Sequence, residues 1–164
     1  MTLKKVSLVF LILLVYGAII FLVYLWVNRE PESTRRAREL QTNYQKWQTQ
    51  AIGHYRMSVK IICLCEFPNR NTVVVEVKNG NVVSVIDNKG QNISISEGQI
   101  SGFAHLFTVD GLFTYASDAV SGAYEAHIAY DPQFGFPTDV SVDWDKQILD
   151  DEDETTITNF EPLP

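Results

Sequence analysis

Two groups of side chains in this sequence have the types and spacing for chemistry. The first is the cysteine pair. Cys63 and Cys65 are the only cysteines, set at i, i+2 in an alternating stretch. On a strand that spacing puts both thiols on one face, with Cα atoms near the ~7 Å limit for a disulfide, so bridging them needs a local bulge or twist. Strained disulfides are the reducible ones, which leaves a thiol-redox role open. No second C-x-x-C and no thioredoxin-like βαβ pattern accompanies them, and the expectation is a structural bridge or a buried thiol pair. A zinc site would need two more ligands, and only His54, His105 and His127 are on offer, without ligand spacing.

The second group is acidic. Asp143, Asp145, Asp150, Asp151, Glu152, Asp153 and Glu154 fall within twelve residues, with Lys146 the only local counter-charge. Counted from Asp143, the residues Asp143, Asp145, Gln147, Leu149, Asp151 and Glu154 take positions 1, 3, 5, 7, 9 and 12 of an EF-hand register. Ile148 stands at position 6, where that loop needs glycine for its turn, and the flanks read as strands rather than helices. A regular EF-hand is not expected. A looser calcium site through Asp143, Asp145, Asp151 and Glu154 stays open beside the default of a solvated acidic hairpin. No Ser/His/Asp or Cys/His set has the flanking context of a nucleophilic site, and Gly80, Gly90, Gly98 and Gly102 are spaced as turns, not as a phosphate-binding loop. No enzymatic activity, resident metal or cofactor is expected.

These groups need elements to position them. The stretch from Val6 to Val27 holds 22 residues with no ionisable side chain except two tyrosines. As a helix it would run about 33 Å, against a bilayer core of roughly 30 Å. Lys4 and Lys5 precede it, Arg29 follows, and Tyr24 and Trp26 sit where an aromatic belt would lie. Its length exceeds an ordinary signal-peptide core, no small-residue cleavage site follows, and the first cysteine is as late as Cys63. The expectation is an uncleaved single-pass anchor over residues 1–30. Residues 31–164 would then form one domain at the cell membrane, and the flanking charges, Lys4 and Lys5 against the arginines from Arg29 onward, leave its side open. The membrane is the one partner expected outright; a protein or cell-envelope partner is the further candidate.

Charge narrows the partners. Net charge is −7, and residues 110–164 carry 13 acidic groups against Lys146 alone. Such a segment repels phosphates, so nucleic acid is not an expected partner.

Along the chain, Ala37, Leu40, Tyr44, Trp47 and Ala51 make one apolar stripe, which predicts an amphipathic helix starting at Ser33 or Thr34 and ending near Gly53. His54–Glu66 alternates as a strand. Thr72–Lys78 and Val82–Ile86 flank Asn79-Gly80, the favoured two-residue hairpin signal, and Asn92–Ile95 is a candidate short strand. Gly98–Gly102 reads as a loop. Thr108 is then a candidate N-cap for a second helix, closed by Gly122. Strands follow at Glu125–Tyr130, Asp139–Trp144 and Thr155–Phe160. The fold expected is α+β: an N-terminal transmembrane helix, then a small antiparallel sheet covered by two helices, in the order α-βββ-α-βββ.

Several features recur together: Trp47, Tyr55, C-x-C at Cys63–Cys65, a V-x-V-K-N-G-x-V hairpin, T-V-D-G-L-F at Thr108–Phe113, Y-D-P-Q-F-G-F-P at Tyr130–Pro137, and V-D-W-D followed by D-D-E-D-E. In these the chain resembles the bacterial family catalogued as domain of unknown function 6174, over roughly residues 40–161. The resemblance implies a small extracytoplasmic domain behind a signal or anchor, and it implies no activity. The function expected is a non-enzymatic binding or structural module of the cell envelope. The alternatives are a calcium-responsive or hydrolytic domain using the loop 143–154, and a thiol-redox protein using Cys63 and Cys65.

Overall fold

The structure is a computed structural model that describes residues 3–64, 72–94 and 98–164, with side chains described in 13–64, 72–94 and 102–164. The chain divides into two compact units, Met1–Arg35 and Arg36–Pro164. In the first, helix α1 spans Leu3–Val27. Its described large apolar side chains, from Leu13 to Val27, are all exposed. Among the described residues no single helix is long and apolar enough to cross a membrane, which corrects the expected transmembrane helix.

The second unit is built on one six-stranded antiparallel sheet. Its strands are β1 (His54–Ile62), β2 (Val73–Lys78), β3 (Asn81–Ile86), β4 (Glu125–Tyr130), β5 (Pro137–Asp143) and β6 (Asp153–Pro162). Their order across the sheet is β3-β2-β1-β6-β5-β4. Helices α2 (Glu32–Gln50) and α3 (Val109–Gly122) and a 3₁₀ helix (Gly98–Phe107) complete the fold. Among the described residues the expected two covering helices are therefore corrected to three, and with α1 to four helices. The stretch expected as a loop, Gly98–Gly102, opens the 3₁₀ helix. It went unread because Gly-Gln-Ile-Ser-Gly carries no 3.6-residue stripe, and a 3₁₀ turn closes on i, i+3 bonds without one. Of the expected short strand Asn92–Ile95, Ile95 lies outside the described residues, and among the others Asn92 forms an isolated bridge with Ile86. Helix α2 starts at Glu32, directly after Pro31, so neither Ser33 nor Thr34 caps it.

Alternation decides what is buried. Tyr55, Met57, Val59 and Ile61 of β1 and Val73, Val75 and Val77 of β2 turn inward. They pack on Trp47 of α2, on Leu106 and Phe107 of the 3₁₀ helix, and on Val109, Leu112 and Phe113 of α3. A smaller cluster joins Ala116 and Ala119 of α3 to Ala126, Val140 and Val142 of β4 and β5. The other phase carries Arg56, Lys60, His127, Asp139 and Thr158, the polar face that an antiparallel sheet can leave to water. At Asn79-Gly80 both residues take positive φ, 51° and 75°, as a tight hairpin turn requires.

Candidate functional site

The acidic loop is tied up by its own carboxylates. Asp143 closes β5 and Glu154 lies in β6, with the connection between them irregular. The Asp145 amide donates to Asp151 Oδ2 at 2.7 Å, and the Gln147 amide donates to Asp145 Oδ1 at 2.9 Å. Asp145 and Asp151 thus hold the loop backbone, as short acidic side chains do in turns. Asp143 Oδ1 and Asp151 Oδ1 are buried without a hydrogen-bond partner. Burial first, and then the charges of Asp151, Glu152, Glu125 and Asp145, hold the Asp143 carboxyl above its usual range. Glu154 sits across from Ser141 and accepts from Thr156 Oγ1 at 3.1 Å. Among the described residues no group of three or more His, Cys, Asp or Glu side chains is placed to hold a metal.

Cys63 follows β1, is disulfide-bonded, and packs against the main core. Cys65 lies outside the described residues. The three histidines are dispersed: His54 pairs with Glu76, His127 is exposed on β4, and His105 is exposed in the 3₁₀ helix.

The arrangement with most chemical content lies beside Cys63. A cleft of about 250 Å³ opens between the end of β1, the 3₁₀ helix, Tyr115 of α3 and the start of β6. Ile61, Phe103 and Leu106 contribute apolar walls, while Asp153 and Thr155 contribute oxygens. Their placement follows from register. Asp153 pairs with Val142 and Thr155 with Val140, so both share the covered face of the sheet with those core valines. Glu154, one residue away, faces out.

Asp153 binds two neutral donors. Tyr115 Oη donates to its Oδ1, and Trp144 Nε1 donates to its Oδ2 at 3.1 Å. Burial and then the Asp153 carboxylate push the Tyr115 hydroxyl far above its ordinary range, so at neutral pH it is a donor and not a base. Thr155 is 1% exposed, and its Oγ1 has no hydrogen-bond partner. The His105 ring stands edge-on to Tyr115, with centroids 6.3 Å apart. A larger hollow, about 330 Å³, lies between α2 and α3, but its carboxylates Asp110 and Asp118 are both exposed and it encloses no orphaned polar atom.

The cleft was missed in the sequence because Asp153 was counted with six other loop carboxylates. One signal was present: Asp153, Thr155 and Ile157 share a phase, and Ile157 is the apolar member of it.

A family model described as a family of unknown function (DUF6174) matches residues 39–162, a span that contains every residue of the cleft and of the acidic loop. No curated protein and no solved structure matches the chain.

Proposed function

The chain belongs to the family of unknown function DUF6174, and from that premise we propose that it is a non-enzymatic binding module that works outside the cytoplasm. The observation that carries the binding reading is the Thr155 hydroxyl, fully buried at the wall of a cleft and unmatched by any protein group. Leaving such a group unsatisfied costs about 1–3 kcal/mol, a cost that a bound polar group removes. Two other polar groups of the cleft are held in place: Tyr115 donates to Asp153, which also accepts from Trp144 behind the cleft wall. That pattern suits fixed recognition better than proton transfer.

Saturable binding without turnover is the expected behaviour. The full chain is titrated with a panel of N-acetyl amino-acid methylamides, followed by NMR, and each probe is recovered for mass spectrometry. Saturable shifts with every probe recovered intact support the reading. A chemically converted probe overturns its non-enzymatic part, and no saturable shift across the panel overturns its binding part.

The disulfide at Cys63 supports the placement, since disulfides persist in oxidising compartments and are rare in the cytosol. Alkylating free thiols in intact cells before lysis should leave Cys63 unlabelled until reductant is added. Labelling without reductant would put the chain in a reducing compartment.

A further inference from the structure

We propose that the Asp153 cleft recognises a primary alkylammonium group, carried by a lysine side chain or by a free amine; this rests on the binding reading above. Charge is the first argument. Asp153 takes part in no ion pair among the described residues, and its two donors, Tyr115 and Trp144, are neutral. A carboxylate offers about four acceptor directions, so two remain for a ligand. Residues 110–164, with 13 acidic groups and one lysine, draw cations toward the cleft and repel anions.

Geometry narrows the cation. A guanidinium fork needs both carboxylate oxygens presented together, and here each oxygen already accepts from a different ring system. An ammonium is a point charge with three donors that can be shared between Asp153 and the orphaned Thr155 hydroxyl. Ile61 and Leu106 give a methylene stem an apolar wall. Size agrees: about 250 Å³ lies below the roughly 300–1,000 Å³ of drug-sized sites and suits a single side chain.

The Trp144 indole N–H donates to Asp153, so its NMR resonance reports on the site in the full chain. The probes are Nα-acetyl-lysine methylamide, n-butylammonium and, as the uncharged isostere, Nα-acetyl-norleucine methylamide. The lysine derivative should move that resonance saturably, with the norleucine compound at least about tenfold weaker, the usual worth of a charge-assisted hydrogen bond. Asp153→Asn should remove that preference. Thr155→Val should weaken lysine binding severalfold while leaving the unfolding temperature unchanged or higher, which keeps the test decisive should the Asp153 variant fail to fold. Butylammonium binding as tightly as the lysine derivative identifies a free amine as the ligand; lysine-derivative binding alone identifies a protein side chain. Equal binding of the norleucine compound overturns the cation assignment and leaves the binding module standing. No response to either amine, or undiminished binding in Asp153→Asn, also overturns it.

Discussion

Glu76 is the residue on which charge and stability meet most directly. On the open face it accepts from Arg56 at 3.1 Å through Oε2 and pairs with His54 Nε2 at 3.0 Å through Oε1. The His54 bond, then that of Arg56, holds the Glu76 carboxyl below its ordinary 4.5. The Glu76 bond, then the Pro164 carbonyl, raises His54 above its ordinary 6.5. The signs run opposite ways. A depressed carboxyl stabilises the fold above pH 4.5, and that contribution is lost as pH falls through its folded value. A raised imidazole stabilises below pH 6.5, and that contribution is lost as pH rises through its folded value. Both are fully present only between those two pH values. The unfolding temperature should therefore drop between pH 6 and pH 8, and Glu76→Gln should flatten that drop. Parallel pH profiles for the two proteins would remove His54 from the account. The effect is small, because these side chains are open to solvent screening.

Among the elements, the connection between β4 and β5 does more than turn the chain. Asp131 organises it: the amides of Gln133 and Phe134 donate to its Oδ1, and the Gly135 amide donates to its carbonyl. The loop then seats on α2, where Lys46 Nζ donates to the Pro132 carbonyl. Phe134 and Phe136 enter an aromatic group with Trp47, Tyr55 and Phe160, the Phe136 and Phe160 centroids 4.4 Å apart. Gly135 has φ +87°, and a Cβ there would lie 2.7 Å from the Asn43 carbonyl oxygen. Gly135→Ala should thus lose about 1–3 kcal/mol or more, from positive-φ strain and the clash with α2, read from the urea midpoint. A loss within about 0.5 kcal/mol, the range of an ordinary surface change, would mean the loop lifts off α2 freely.

The entry to α3 is built in the same spirit. Thr108 accepts from the Gly111 amide as N-cap, and the buried Tyr55 hydroxyl accepts from the Val109 amide at 2.9 Å. A Cβ on Gly111 would meet the His105 carbonyl oxygen at 1.7 Å, so that approach admits only glycine. Two of the three glycine-containing motifs that carried the family resemblance, those of Gly111 and Gly135, therefore bring helices and loops into close contact that a Cβ would not allow.

At the scale of the whole molecule, the sheet consists of two local meanders, β1-β2-β3 and β4-β5-β6, joined through the antiparallel pair β1 and β6. By itself the sequence determined the strands, the hairpin at Asn79-Gly80 and the capped start of α3. Period-2 alternation, positive φ in a two-residue turn and an N-cap hydroxyl are all settled within a few residues. The closure of β1 on β6 was not legible, since it pairs Val59 with Ile157 across nearly the whole domain and no local signal names a distant partner. Nor was the 3₁₀ helix, which packs Leu106 and Phe107 into the core without an amphipathic period. The cleft depends on both. Seven carboxylates crowd one stretch of sequence, and only the register of β6 against β5 turns Asp153 inward beneath Tyr115 while Glu154 faces water. A slip of one residue would exchange them, because successive strand side chains point to opposite faces. That choice belongs to the tertiary structure.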